Sequence, residues 1–333
     1  MLSPNISKDL TDCSVFRNRS CPENFRSAGT RGIMYLFITA VFILTIFGNL
    51  AIIISISYFK QLHSPANFLI LSMAVTDFLL GFAIMPYSMV RSVENCWVMG
   101  IIFCKVHDSF DLMLSLASIF HLCSIALDRF HAICRPLHYP STVTVAAVKR
   151  IVAVCWSVPA AFAFGVVFSE AYAPGIGGYE MLIKCLGLCS IVFNQLWGAF
   201  LFTVGLFVPA CIMIGIFTVS WAHRLSKNNK KHELSKKKDR KATKTLSIVM
   251  LGFLICWFPW FFAILIDPFL NFSFLLPLFD SLNWLGYLNS LCNPLIYGFF
   301  YPWFQKAFKY ILTGKIFNPY FCTIKTLPKD QSQ

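Results

Sequence analysis

Residues 33–59 read IMYLFITAVFILTIFGNLAIIISISYF and contain no Asp, Glu, Lys or Arg. A helix of about 20 apolar residues crosses the roughly 30 Å hydrocarbon core of a bilayer. Further apolar stretches lie at approximately 68–90, 104–134, 146–168, 193–222, 241–267 and 277–300. Because backbone polar groups must be satisfied internally in lipid, each stretch predicts a helix. The sequence therefore predicts an all-α membrane protein, a bundle of seven transmembrane helices.

The overall composition argues against the alternative of two soluble domains. Hydrophobic residues make up 57% of the 333-residue chain and charged residues 13%, whereas about 25% charged residues is typical of a soluble domain. The 35 phenylalanines supply more apolar bulk than a water-soluble core needs. The bilayer is the solvent that this composition fits.

Positive charge in the short loops predicts the orientation in the membrane, because cytoplasmic loops carry the excess of lysine and arginine. The connection between the fifth and sixth spans is the most basic segment, with Arg224, Lys227, Lys230, Lys231, Lys236, Lys237, Lys238, Arg240, Lys241 and Lys244. We therefore expect a multi-pass plasma-membrane protein with an extracellular N-terminus. The net charge of +13 reflects this topology, and no nucleic-acid partner is expected.

The chain divides into three expected segments. Residues 1–32 form an extracellular tail with glycosylation sequons at Asn5 and Asn18, and residues 33–300 form the bundle. Residues 301–333 form a short amphipathic eighth helix, which lies along the membrane, and a cytoplasmic tail. The side chains of this helix expected to face lipid are Trp303, Phe304, Phe308 and Ile311.

Cysteines on the outer side are expected to form disulfides, since that compartment is oxidising. They are Cys13, Cys21, Cys96, Cys104, Cys185 and Cys189. Six cysteines allow fifteen pairings, and the sequence alone does not choose among them. We expect a Cys104–Cys189 bond, which would tie the second outer loop over the mouth of the bundle. Cys13–Cys185 and Cys21–Cys96 are the second expectation, since they would clamp the N-terminal tail onto the same loop.

Asp111 is the most informative charged residue inside a span. It follows Cys104 by two helical turns, roughly 10 Å into the membrane. A carboxylate at that depth needs a partner, and the spans offer no obvious buried Lys or Arg. The ammonium group of a ligand would balance it. The alternative is a carboxyl group that is neutral through burial or bonded to Tyr287.

Aromatic residues of the sixth and seventh spans are candidates for the wall of such a site, because aromatic faces attract cations. They are Trp257, Trp260, Phe261, Trp284 and Tyr287. Aromatic residues at helical spacing also occur in ordinary packing, so their significance depends on the nearby acid. Asp108, Asp267 and Asp280 lie near the outer helix ends, where we interpret them as solvated rim charges.

The fifth span narrows the choice of ligand. It offers Thr203 as its one hydroxyl between Trp197 and Pro209, with no second acid for a diamine and no serine pair for a catechol. This pattern favours an apolar monoamine.

A second buried acid, Asp77, predicts a polar centre deeper in the bundle. The oxygen-bearing side chains expected at the same depth are Ser118, Asn289, Ser290 and Asn293. Such a set would suit a small cation, sodium in particular. A water-filled polar network without an ion is the alternative, and no other cofactor is expected.

Short motifs in the expected order resemble those of rhodopsin-like G-protein-coupled receptors. Asp128-Arg129-Phe130 is similar to the Asp-Arg-Tyr motif, and Asn293-Pro294-Leu-Ile-Tyr297 and Cys256-Trp257-Phe258-Pro259 are similar to the motifs of helices seven and six. The resemblance implies that Arg129 is held by Asp128 and Asp239 in the inactive state and contacts a heterotrimeric G protein in the active state. It also implies switch roles for Asn293, Pro294 and Tyr297.

A longer string, from Asn289 to Phe304, resembles the fingerprint of the trace amine-associated receptors, with subtype 2 most similar and subtype 3 next. The likeness extends over nearly the whole chain. It implies small volatile or biogenic amines as ligands and expression in olfactory neurons. It also implies coupling to a stimulatory or olfactory G protein that raises cyclic AMP, with membrane lipids as further partners.

Departures from the receptor pattern leave a second hypothesis open. Phe130 replaces the tyrosine of Asp-Arg-Tyr, and Phe217 stands where the fifth helix commonly carries a tyrosine. A protein of the same fold with weak, constitutive or lost G-protein coupling is therefore the alternative. No enzymatic activity is expected, since no paired acid–base or nucleophilic set is apparent.

Overall fold

The computed structural model describes residues 26–95, 97, 99–174, 189–226, 233–270, 276–300 and 302–314. The side chains of residues 223–226 and 233–243 lie outside this description. Asn5, Asn18, Cys13, Cys21, Cys96 and Cys185 also lie outside it, as do the side chains of Asp239 and Trp303. In the described residues every regular element is helical. The predicted all-α fold is confirmed.

The described residues form eight main helices. They are α1 Ala28–Tyr58, α2 Pro65–Glu94, α3 Gly100–Cys134, α4 Val145–Ser169, α5 from Gln195 to Ser226, α6 Glu233–Ile266, α7 Leu276–Phe300 and α8 Pro302–Leu312. A π-helical turn interrupts α2 at Leu80–Ile84 and α5 at Phe202–Phe207. Each of these turns changes the direction in which the following side chains point.

Six of the described helices, α1 to α6, contain segments long and apolar enough to cross a membrane. The seventh is more polar because it carries Asp280, Asn283, Asn289 and Asn293. Asn289 and Asn293 are buried in the bundle, so these polar groups avoid lipid. The outer surface is correspondingly apolar, with large exposed side chains such as Leu36, Phe47 and Ile255.

Side-chain caps set the beginnings of several helices. Ser27 accepts from the Thr30 amide at the start of α1, and Ser64 accepts from the Asn67 amide at the start of α2. Thr144 and Asn194 cap α4 and α5 in the same way. A capping oxygen satisfies one of the amides that the first helical turn leaves without an acceptor.

The core brings α1, α2, α3 and α7 together around buried polar residues. Asn49 donates to the Thr45 carbonyl at 2.9 Å and to the Ser290 carbonyl at 3.1 Å, which links α1 to α7. Gly48 allows Pro294 to approach, since a Cβ there would lie 2.8 Å from the proline ring. These contacts fix the position of α7 and hence of the residues that it presents to the interior.

In α8 the structure differs from the expectation for Phe304. Its side chain is 2% exposed and packs against Tyr297 with ring centroids 6.0 Å apart. Phe308 is half-buried, with a ring atom 3.1 Å from where a Cβ of Gly298 would stand. The prediction that Phe304 faces lipid was wrong, because α8 docks its apolar face onto the end of α7.

Candidate functional site

A cavity of about 80 Å³ opens among α3, α6 and α7 beneath the segment 190–193. Asp111 lines it, together with Trp257, Trp260 and Phe261. The remaining lining residues are Arg91, Asp108, Leu112, Ser115, Leu116, Ile119, Ser190, Ile191, Phe193, Ile264, Phe279, Asp280 and Asn283. A carboxylate, aromatic rings and further charged groups therefore converge on one space.

Asp111 is held in place by a phenol of α7. Its Oδ2 accepts a hydrogen bond of 2.6 Å from Tyr287, and its Oδ1 lies 3.5 Å from the Ser115 hydroxyl. The Tyr287 oxygen in turn accepts from Asn283 at 2.9 Å and lies 3.3 Å from Ser88. An ionised carboxylate offers about four lone-pair sites. The bond to Tyr287 thus orients Asp111 and leaves it capacity for a further donor.

A largely enclosed arginine near Asp111, with 12% of its side chain exposed, was not predicted from the sequence. Arg91 at the outer end of α2 places Nη1 3.4 Å from Asp108 Oδ1 and Nε 3.8 Å from Asp280 Oδ1. Nη1 also donates to the Cys189 carbonyl at 3.1 Å. Arg91 therefore ties α2, α3, α7 and the outer loop together at the mouth of the cavity. It lies just beyond the apolar stretch expected at 68–90, and its low exposure depends on partners in α3, α7 and the outer loop.

The rim acids are less solvated than expected. Asp108 is 7% exposed and Asp267 is 5% exposed, so the prediction of solvated charges was wrong for both. Asp108 also lies 3.3 Å from His107 Nδ1. Asp280 is partly exposed and fits the rim prediction more closely. Burial of Asp108 is tolerated because Arg91 pairs with it.

The Cys104–Cys189 disulfide is present, as predicted, and it attaches the outer loop to α3. Asp108 Oδ2 lies close to both sulfurs, at 3.6 Å and 3.7 Å. Because the sulfurs are bonded to each other, neither can act as a thiolate ligand for a metal. This group of side chains is therefore a structural feature of the cavity mouth.

Three predicted ligand-binding residues are absent from the cavity lining, and the first of them, Tyr287, is fully buried and contacts the site through its bond to Asp111. Trp284 does not line the cavity: its indole donates to Ser92 at 3.1 Å and its ring packs edge-on against Tyr287. Thr203 is exposed on the outside of α5 and donates to the Ala199 carbonyl at 2.8 Å. The expectation that Thr203 faces a ligand is therefore corrected.

Close packing of α5 explains why it contributes none of the lining residues described. A Cβ at Gly198 would lie 2.7 Å from the Ile264 carbonyl oxygen, and one at Gly205 would lie 2.4 Å from the Phe261 ring. Phe261 therefore occupies the space where an α5 side chain would enter. Gly286 gives Trp257 similar room, since a Cβ there would lie 2.8 Å from the indole ring.

The polar centre around Asp77 matches the predicted set in part. Asp77 Oδ1 accepts from Ser118 and Ser290, each at 2.8 Å, and Oδ2 accepts from Asn293 at 2.7 Å. Asn289 is buried nearby in α7, with no described partner for its Nδ2. Carboxylate and hydroxyl oxygens are the ligands that small hard cations prefer. Asp77, Ser118 and Ser290 bring such oxygens together.

At the cytoplasmic end of α3, Asp128 pairs with two groups. Its Oδ2 lies 2.6 Å from Arg129 Nη2, and its Oδ1 accepts from Tyr139 at 2.9 Å. Tyr139, in the turn Tyr139–Thr142, was not singled out from the sequence. Burial, and then the charge of Asp128, raise the pKa of the Tyr139 phenol to about 12. The predicted partner Asp239 lies in α6, with its side chain outside the described part of the chain.

Comparison with known proteins agrees with this arrangement. The family described as 7 transmembrane receptor (rhodopsin family) matches residues 48–297. Trace amine-associated receptor 2 of Mus musculus is 62% identical over 96% of this chain and 96% of its own length. The Homo sapiens receptor 2 is 62% identical over 94% and 91%, respectively. Trace amine-associated receptor 3 of Mus musculus is 58% identical over 97% and 98%.

Such proteins are receptors in the plasma membrane rather than enzymes, and they act through a ligand and a G protein. The resemblance found in the sequence is confirmed over nearly the full length. This chain belongs to the rhodopsin family of seven-transmembrane receptors, within the group of trace amine-associated receptors.

Proposed function

We propose that the cavity binds a small monoamine through an ion pair between the ligand ammonium and Asp111. The observation that carries the proposal is the charge balance among the described lining residues. Asp108, Asp111 and Asp280 face one cation, Arg91. Arg91 contacts Asp108 and Asp280, while Asp111 receives hydrogen bonds from neutral hydroxyls. A positively charged ligand balances the acid that lacks a direct ion pair.

The aromatic wall supports a cation as the ligand. Trp257, Trp260 and Phe261 form a cluster of mutually edge-on or tilted rings with centroids 5.0–6.1 Å apart. Phe279 joins them on the side of α7. The electron-rich faces of such rings attract an ammonium group by about 0.5–2 kcal/mol. Together with Asp111 they provide both the charge and the apolar surface that an alkyl or aryl amine requires.

The dimensions favour a simple ligand. A cavity of about 80 Å³ is smaller than the roughly 300–1,000 Å³ of sites for drug-sized molecules. The described part of α5 presents no hydroxyl to it, because Thr203 faces outward. A catechol would therefore lack its usual partners on that side. We expect apolar amines to act better than dopamine-like ligands or polyamines.

Signalling is proposed to proceed through a stimulatory or olfactory G protein that raises cyclic AMP, in sensory neurons of the olfactory system. The basis for this proposal is what the resemblance to trace amine-associated receptors implies about their signalling. Arg129, at the end of α3, is the residue that would contact the G protein after separating from Asp128.

The alternative is a receptor with weak, constitutive or lost coupling, and two phenylalanines favour it. Phe217 is partly buried and packs against Trp221 with ring centroids 6.0 Å apart. A phenylalanine at this point offers no hydroxyl for a polar contact that would stabilise an active state. Phe130 likewise packs on His131 without a hydroxyl.

A sodium ion at Asp77 is a further proposal. The residues that would hold it are Asp77, Ser118, Ser290 and Asn293, with Asn289 alongside. Bound sodium would neutralise the buried carboxylate and favour the closed arrangement of α2, α3 and α7. Agonist affinity measured in sodium and in a bulky organic cation tests this: a sodium effect that survives Asp77→Asn contradicts it.

A cyclic-AMP reporter in cells tests the main proposal. Simple alkyl and aryl amines, catecholamines and polyamines are applied to wild type, Asp111→Ala and Asp111→Asn, with surface expression measured in parallel. Glu170→Gln is the matched control, because it removes an outer acid that pairs with Lys105 at the surface. We expect an amine response in wild type and the control and none in the Asp111 variants. High basal cyclic AMP without an amine response, or no coupling at all, would favour the alternative.

A further inference from the structure

A second groove lies on the lipid-facing surface, away from the Asp111 cavity. It runs between α3, α4 and α5 and has a volume of about 430 Å³. Its walls include Phe120, Ile151, Val154, Val208 and Ile212. Val154 is 53% exposed, and Ile151, Val208 and Ile212 are exposed too. The groove is therefore an open apolar channel rather than an enclosed packing defect.

Small residues at the base form the depression. Cys155 and Pro209 line it together with Ser124. The Ser124 hydroxyl donates to the Phe120 carbonyl at 2.8 Å and lies 3.5 Å from the Cys155 sulfur. Because these polar atoms already have partners inside the protein, an apolar chain can occupy the groove without leaving a buried donor unpaired.

One end of the groove carries a positive charge. Arg150 lies in the second turn of α4, at the cytoplasmic end of the bundle, and is exposed. Its Nε donates to the Ala146 carbonyl at 3.5 Å. Among the residues that the structure describes, no carboxylate lies within 4.0 Å of this guanidinium. The charge is therefore available to an external anion at the edge of the hydrocarbon region.

We propose that this groove binds an anionic phospholipid of the cytoplasmic leaflet. The lipid phosphate pairs with Arg150, whose planar guanidinium can donate two parallel hydrogen bonds. One acyl chain lies along Ile151, Val154 and Val208. Charge selects the occupant, because the cytoplasmic leaflet is rich in anionic lipids and a basic residue at its surface attracts them.

A neighbouring groove provides a control within the same molecule. It lies between α5 and α6, has a volume of about 510 Å³, and includes Leu206, Ala210, Leu254 and Phe258. Its described lining contains no charged residue. It can accommodate acyl chains of any lipid and offers no reason to prefer an anionic one.

Native mass spectrometry of the purified full-length receptor tests the proposal. The receptor is mixed with equal amounts of phosphatidylserine and phosphatidylcholine, and the ratio of retained lipids is measured. Arg150→Gln removes the charge, Arg150→Lys keeps it, and Lys149→Gln removes a neighbouring exposed charge that does not line the groove. Val154→Trp fills the groove, and Ala210→Trp fills the control groove.

We expect wild type to retain phosphatidylserine preferentially and Arg150→Gln to lower that preference about fivefold. Val154→Trp should lower it similarly, and Arg150→Lys should lower it less than Arg150→Gln, because lysine keeps the charge but cannot donate the two parallel hydrogen bonds. Lys149→Gln and Ala210→Trp should change it little. Equal loss in Lys149→Gln and Arg150→Gln would indicate diffuse charge attraction and overturn the site. If free oleate displaced the bound lipid as effectively as phosphatidylserine does, the groove would be a fatty-acid site. That result would overturn the proposal of a phospholipid.

Discussion

The outer and inner halves of the bundle both contain buried acids, but the two halves satisfy them in different ways. In the inner half, Asp77 is 0% exposed and accepts hydrogen bonds from two serines and an asparagine. In the outer half, Asp111 lines an open cavity and receives one short bond, from Tyr287. The inner acid is surrounded by hydrogen-bond donors of the protein itself, whereas the outer acid faces a cavity that an organic ligand can enter.

Arg91 sharpens this difference, because a cation is present in the outer half and pairs with acids other than Asp111. It contacts Asp108 and Asp280, and thereby fixes the mouth without occupying the position beside Asp111. The outer cavity thus has a charged rim that is fixed in place, and Asp111 within it is oriented but has no ion pair among the described residues. No comparable cation is found around Asp77 among the described residues.

The largest expected effect comes from breaking the charged rim. Arg91→Gln should lower the free energy of unfolding by about 3 kcal/mol, because it leaves Asp108 buried without its ion pair. Thermal or denaturant unfolding of the purified receptor measures this. The double variant Arg91→Gln with Asp108→Asn should recover much of the loss, since no charge remains unpaired. If the double variant lost as much free energy of unfolding as the two single variants lose together, Arg91 and Asp108 would not interact.

In the inner half, Asp77→Ala should lower the free energy of unfolding by about 2 kcal/mol. Ser118, Ser290 and Asn293 would each lose an acceptor, at roughly 1 kcal/mol per bond, and water that fills the vacated space would replace part of that total of about 3 kcal/mol. The same unfolding assay applies, with Asp77→Asn as the milder comparison because it keeps one acceptor oxygen. An unchanged stability for Asp77→Ala would mean that the inner acid is not enclosed as described.

Tyr287→Phe tests how the outer acid is oriented. The change removes the 2.6 Å bond to Asp111 and keeps the ring. Because a hydrogen bond to a charged group contributes about 1.5–3 kcal/mol, we expect amine potency to fall at least about tenfold in the cyclic-AMP assay. Trp284→Phe is the control, since Trp284 packs nearby without lining the cavity. Equal losses in both variants would contradict a specific role for the phenol.

The smallest effect is expected at the cytoplasmic end, where Tyr139→Phe removes the 2.9 Å bond to Asp128. The loss of stability should be about 1 kcal/mol, since the phenol is half-buried and partly screened by solvent. The Tyr139 pKa rises from 10.0 to about 12. The contribution is therefore complete below pH 10 and lost as the pH rises through 12. The wild-type advantage over Tyr139→Phe should disappear over that range, and an advantage that persists above it contradicts the assignment.

The fold could be predicted from the sequence because its strongest signals are local. An apolar run such as residues 33–59 must be helical in lipid whatever surrounds it. Topology assigned six cysteines to the outer side and left fifteen pairings open, so the Cys104–Cys189 bond was an expectation that the structure confirms. The family motifs added the positions of Asp128, Arg129 and Asn293 on their helices.

Side-chain orientations and contacts between residues distant in the chain could not be predicted from the sequence. Thr203 was expected to face the cavity, but the π-helical turn at Phe202–Phe207 and the approach of α5 at Gly205 decide its direction. Arg91 was missed because its burial depends on partners in α3, α7 and the outer loop. Phe304 was placed in lipid because its docking partner, Tyr297, is visible only in three dimensions.

The most direct measurement compares an active amine with its uncharged, isosteric alcohol for binding to purified wild type and Asp111→Asn. Wild type should prefer the amine by at least about a hundredfold, because a desolvated charge pair contributes about 3 kcal/mol or more. In Asp111→Asn the preference should vanish while the alcohol binds as before. An amine preference that is undiminished in a folded Asp111→Asn receptor would contradict recognition by this carboxylate.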